Sequence, residues 1–134
     1  MKKPLSVRFR VDFANDRSIG LGKIELLEGI ARSGSLSQAA RDLGMSYRRA
    51  WLLVEDIKLT FDQSVVVSST GGLNGGGAAL TDFGSQLVAR YRKLESDMQL
   101  LARATLRNID GHTSSRSKRD RNVTSIKKKL SENE

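Results

Sequence analysis

The 134-residue chain has no cysteine, which excludes disulfides, thiolate catalysis and cysteine-ligated zinc together. Histidine occurs once, at His112, in a polar stretch without a fixed partner, so it is read as a spectator and not as a base or ligand. No spacing of metal ligands is visible, and no nucleophile can be paired with a base, so the chain is not expected to be an enzyme. The carboxylates Glu25, Glu28, Glu55 and Asp56 stand beside basic residues and are read as solvated surface. No apolar run approaches the length needed to cross a bilayer, and the N-terminus lacks the basic, apolar and small-residue order of a signal peptide. A cytoplasmic protein with no membrane partner is therefore expected.

What is abundant is positive charge. Lysine and arginine number 23 against 15 acidic residues, a net charge of +8, which favours a polyanionic partner. Residues 107–134 carry eight basic and four acidic side chains, so about a fifth of the chain holds half of the excess. Beyond Val123, Ile126 and Leu130 that segment has almost nothing apolar to offset the entropy of ordering it. Two parts are expected: an ordered domain over 1–106 and a basic, disordered tail over 107–134, which either attracts DNA phosphates or simply keeps the protein in solution.

Within 1–106, Leu5, Val7, Phe9, Val11 and Phe13 alternate with polar residues, the period of a strand with one buried face. After the turn-like "NDRSIGLG", the spacing of Ile24, Leu27, Ile30 and Ala31 predicts a helix from about Gly22 to Ser33, stopped by Gly34 in a left-handed conformation. Ser35 and Gln38 form the S-x-x-Q capping box of a second helix, Leu36 to Leu43, and Ser46 caps a third, Tyr47 to Lys58. Gly44 makes the corner between them; Ala39, Ala40 and Ala50 permit close crossing, while Leu43, Met45 and Leu53 plug the inside. The arrangement is that of a helix-turn-helix, with an ordinary αα-corner as the alternative.

In a helix-turn-helix the second helix presents its N-terminal end and outer face to the major groove. Those positions are Ser46, Tyr47, Arg48, Arg49 and, one turn later, Leu52. An arginine can pair bidentately with guanine, and Ser46 and Tyr47 can donate to phosphate or base. Arg48 and Arg49 point about 100° apart, so one reads a base while the other holds a phosphate. Trp51, between the inner and outer faces, is assigned to core packing over stacking on the DNA backbone.

Downstream, Val65–Val67 and "AAL" flank the glycine cluster "GGLNGGG" as a hairpin. No lysine and hydroxyl follow the last glycine, which excludes a P-loop. Thr70, Gly71, Gly72, Asn74, Gly75, Gly76 and Gly77 are read as a wing whose backbone approaches DNA, or as a flexible turn. Thr81 caps a long helix in which Leu87, Tyr91, Leu94, Met98, Leu101 and Thr105 alternate steps of four and three. This heptad seam pairs two subunits or packs on its own domain; because it outruns the compact domain, dimerisation is expected. The fold class is mainly α with a small β component, a winged helix-turn-helix plus a long C-terminal dimerisation helix.

The strings "SGSLSQAARDLGMSYRRAWLLVEDI" and "TGGLNGGGAALTDFGSQLVARYRKLE" resemble the N-terminal DNA-binding domain of ModE-type molybdenum-dependent regulators, whose winged helix-turn-helix is related to that of LysR-type regulators. The resemblance implies a prokaryotic regulator that binds palindromic operators in double-stranded DNA as a homodimer, with Ser46, Tyr47, Arg48 and Arg49 as recognition-helix contacts and 70–77 as the wing. Full-length members continue into a molybdate-binding module. After Arg107 this chain offers only its basic tail, so no cofactor is assigned to it, molybdate sensing is not expected of it, and there is room for a separate effector-binding partner protein. Two other classes stay open: a sequence-indifferent architectural DNA binder, and a protein-interaction module on a winged-helix scaffold.

Overall fold

A computed structural model describes residues 4–69 and 77–116. Its elements follow in the order β1 (Arg10–Asp12), β2 (Ser18–Gly20), α1 (Leu21–Ser33), α2 (Leu36–Asp42), α3 (Tyr47–Phe61), β3 (Val66–Ser69), β4 (Gly77–Leu80), α4 (Asp82–Thr105) and α5 (Arg107–Asp110). Contacts divide the chain into two units, Val7–Met98 and a second formed by its two ends, up to Ser6 and from Gln99.

Burial alternates from Leu5 to Phe13 with the period that the sequence predicts. Only Arg10–Asp12 pairs as a strand, however, and its antiparallel partner is Ser18–Gly20, which the sequence reading gives to a turn. A ladder is as long as its partner: after the turn closed by Phe13 N–H donating to Arg17 O at 2.7 Å, three residues remain before α1 begins.

Helix α1 is the hub of Val7–Met98, because neighbouring helical residues point about 100° apart and so feed two cores. Ile24 and Leu27 join Ile19, Ile57, Val65 and Tyr91, with Phe9, Phe13, Phe61 and Phe83 packed on them. Leu26 and Ile30 join Ala39, Ala40 and Ala50, with Leu36, Leu43, Met45 and Leu53 around them. Each large apolar side chain buried here stabilises the fold by roughly 1.5–3 kcal/mol. The second core is the inside of the helix-turn-helix. Its small residues matter, since a Cβ added at Gly29 would stand 3.1 Å from the Ala39 Cβ.

Strands β3 and β4 pair antiparallel, from Val66 opposite Leu80 to Ser69 opposite Gly77. The hairpin is tied down at both ends. Ala78 N–H donates to Gly34 O at 2.8 Å, joining it to the end of α1. Thr81 hydroxyl donates to Ser64 O at 2.7 Å and accepts from Gly84 N–H at 3.0 Å, capping α4 as the sequence predicts. Gly84 packs so close to β3 that an added Cβ would lie 2.3 Å from Val65 O. The threonine-x-x-glycine spacing is therefore a joint between hairpin and helix.

Farther along α4, Arg92 grips Glu28 of α1 with two hydrogen bonds, 2.9 and 2.6 Å, and Glu95 with a third of 2.8 Å. These bonds, from Glu28 first, hold its guanidinium even more firmly protonated than usual. In the unit of chain ends, the Gln99 side chain donates to Leu5 O. Arg107–Asp110 forms the short α5, so the tail expected from 107 begins with a helical turn, and 111–116 are exposed.

Candidate nucleic-acid interface

The corner between α2 and α3 is built by hydrogen bonds that the sequence foreshadows. Ser35 hydroxyl accepts from Gln38 N–H at 3.1 Å, and Ser46 hydroxyl accepts from Arg49 N–H at 3.1 Å, so both helices carry side-chain caps. Gly44 adopts φ +69 and donates to Arg41 O at 3.1 Å, while Met45 N–H returns to Ala40 O at 3.0 Å. The capping box itself is only half formed. Gln38's side chain turns to Asp42 at 2.7 Å and Arg41 at 2.8 Å, because charged partners three and four residues on make stronger bonds than a backbone amide.

Helix α3 runs on past Lys58 to Phe61 and buries Ala50, Ile57 and Thr60. A second device fixes its orientation. Arg17 and Lys23 both donate to the Asp56 carboxylate, Lys23 also donates to Ser18 O at 2.7 Å, and Asn15 donates to Thr60 O at 3.1 Å. The Lys23 hydrogen bond, against the opposing pull of burial, holds the Asp56 carboxyl below the usual carboxylate range. Asp56, expected to be solvated surface, instead anchors α3 to the β1–β2 turn. Sequence spacing carries no sign of this, since the partners lie 39 and 33 residues away.

With its back fixed, α3 presents Tyr47 (57% exposed), Arg48, Arg49, Trp51 (47%) and Leu52 (48%) to solvent, beside the exposed cap Ser46. The guanidinium groups of Arg48 and Arg49 make no hydrogen bond or ion pair among the described residues. By contrast Arg17, Arg41, Arg92, Lys23 and Lys93 each hold an acceptor. Trp51 corrects the core assignment. Ala50, Leu53, Val54 and Ile57 already fill the inner face of α3, and a helix phased on those residues turns Trp51 outward.

Trp51 and Tyr47 line a groove of ≈410 Å³ with Ser35 and Ser37 of the first corner and Ser68 and Ser69 of β3. The groove is rich in hydroxyls. Of the expected wing, Gly77 opens β4, whereas Thr70, Gly71, Gly72, Asn74, Gly75 and Gly76 lie outside the described residues. The expected intersubunit seam divides. Tyr91 is 5% exposed, stacked on Phe9 at 4.6 Å, with its hydroxyl donating to Phe9 O at 3.3 Å and burial pushing the phenol up. Leu87 packs against the same core. Both are used within the chain. Leu94 is 41% exposed and, with Val11, Phe13 and Arg90, edges a small apolar groove of ≈170 Å³; Met98 is half-buried and Leu101 exposed.

No family model matches the chain. Similar curated proteins include the "Molybdenum transport protein ModE" of Azotobacter vinelandii, 37% identical over 98 residues, covering 70% of this chain and 36% of that protein. The "Molybdenum-pterin-binding protein MopA" of Rhodobacter capsulatus is 37% identical over 94 residues, 70% of this chain and 36% of its own length. The "DNA-binding transcriptional dual regulator ModE" of Escherichia coli is 42% identical over 77 residues, 58% of this chain and 29% of that regulator. The chain thus spans about a third of the length of these relatives. Molybdenum figures in the names of the first two. Among the described residues, no group of acidic or histidine side chains is placed to hold a metal ion, and no buried side-chain nitrogen or oxygen is left unpartnered to cradle an oxyanion. Over the segment it shares with these relatives the chain is similar in sequence to ModE-type regulators, and its own fold is mainly α with a small β component, that of a winged helix-turn-helix.

Proposed function

We propose that this chain is a sequence-specific, non-enzymatic DNA-binding transcription regulator that acts in the cytoplasm as a homodimer on a palindromic operator. Residues 1–106 supply the DNA-binding and pairing surfaces, and 107–134 add a basic tail. The observation that carries the reading is the pair of unpartnered arginines, Arg48 and Arg49, at the exposed start of a helix held rigidly from behind. An arginine that spends its donors on no protein acceptor is available for a guanine edge or a phosphate. Ser46 and Tyr47 bind the backbone beside them, and the wing from Thr70 to Gly77 reaches the flanking phosphates.

The dimer reading draws support from the apolar edge around Leu94, which a second copy would cover. Two-fold pairing sets the recognition helices in successive major grooves about 34 Å apart, hence an inverted-repeat site. Selection of bound sites from random duplex DNA, with and without molybdate, tests the proposal. An inverted-repeat consensus is expected in both arms. Enrichment that depends on molybdate would assign sensing to this chain, and no enrichment at all would overturn specific regulation. An architectural binder would hold consensus and scrambled duplexes equally, with affinity falling steeply in salt.

A further inference from the structure

Trp51 and Leu52 stand about half in water at the start of α3, as Leu59 does near its end, while Val54 and Ile57 between them are partly or wholly buried. Single exposed apolar residues need no explanation, but these adjoin one another and Tyr47 at the start of α3. Three and four residues separate them from Arg48, so on the helix surface Arg48 lies between their directions, one turn nearer the N-terminus. An apolar pair straddling an unpartnered arginine is matched to a surface that combines hydrogen-bond acceptors with isolated apolar groups. The major groove is such a surface: guanine offers O6 and N7, and its apolar feature is the C5-methyl group of thymine. Leu52 has no donor or acceptor with which to read anything else.

We infer that Trp51 and Leu52 are specificity-determining residues that read thymine C5-methyl groups on either side of the base or phosphate engaged by Arg48. The hydroxyls of Ser35, Ser37, Ser68 and Ser69, which share a groove with Trp51, hold the adjoining sugar–phosphate strand while the indole packs inward against the base edges. A protein partner would need acidic groups to meet Arg48 and Arg49 beside an apolar ridge, whereas the net charge of +8 favours the polyanion. The inference rests on the regulator reading and names the base that its recognition helix selects.

The test replaces thymines singly by deoxyuridine in the consensus duplex recovered by selection, since uracil pairs with adenine but lacks the methyl group. Affinities of the full chain are measured by fluorescence anisotropy at fixed salt. At one or two positions per half-site, loss of the methyl should weaken binding about fourfold, the equivalent of about 0.8 kcal/mol for one buried methyl group. In the Leu52→Ala and Trp51→Phe chains, checked for native circular dichroism, the uracil penalty at the matching position should vanish. Specific binding with no uracil-sensitive position overturns the inference and leaves the regulator reading standing. A penalty that persists undiminished in both variants also overturns it, by assigning the methyl to other residues. Absence of any sequence-specific binding, or capture of an acidic protein in its place, overturns both.

Discussion

Gly84 and Gly22 receive the same substitution in the same place, the first turn of a helix, and the structure gives them opposite outcomes. An alanine Cβ at Gly84 would lie 2.3 Å from Val65 O and 3.1 Å from Val65 C, both backbone atoms at the joint between hairpin and α4. Ordinary contact would require α4 and β3 to part by roughly 1 Å, an overpacking that costs about 1–3 kcal/mol. The same shift strains the Thr81 cap and its bond to Ser64 O, for about 1 kcal/mol more. Higher helix propensity returns up to about 1 kcal/mol. The net loss is about 2 kcal/mol, a Tm lower by roughly 10 °C for a domain of this size. At Gly22, where nothing lies within 4 Å, only the propensity gain remains, about 0.5 kcal/mol of added stability. Urea unfolding followed by circular dichroism measures both. Gly84→Ala matching or exceeding wild-type stability would refute the packing argument, as would a large loss in Gly22→Ala.

Arg48→Ala and Arg49→Ala should separate by kind: the variant that removes a base contact costs about 1–3 kcal/mol and relaxes preference at one operator position, while the other weakens all duplexes alike and lowers the salt slope by about one, both read from titrations at two salt concentrations. Because the Asp56 carboxyl lies below its ordinary value of 3.8 when folded, its ion pairs stabilise the fold fully above that value and are lost as pH falls through the lower folded one. Partial exposure keeps this near ~1 kcal/mol, so the urea midpoint of Asp56→Asn should sit below that of wild type at neutral pH and converge with it in acid. Leu94→Lys should shift sedimentation at micromolar concentration from dimer to monomer with little loss of stability, since Leu94 is 41% exposed; an unchanged dimer would point to another interface.

The sequence by itself determined the elements whose causes are local. Period-two burial, the caps at Ser35, Ser46 and Thr81, and the left-handed glycines Gly34 and Gly44 are set by residues within four positions of one another, and each stands where expected. Tertiary structure decided whatever depends on partners far along the chain. It shortened the first strand, because only Ser18–Gly20 was available to pair with it. It turned Asp56 from solvated surface into an anchor through Arg17 and Lys23. It drew Tyr91 into a core with Phe9, 82 residues away, and put Trp51 outside because α3 had already filled its inner face. Periodicity states that a side chain lies on a given stripe of a helix; which neighbours cover that stripe is settled only when the other elements arrive.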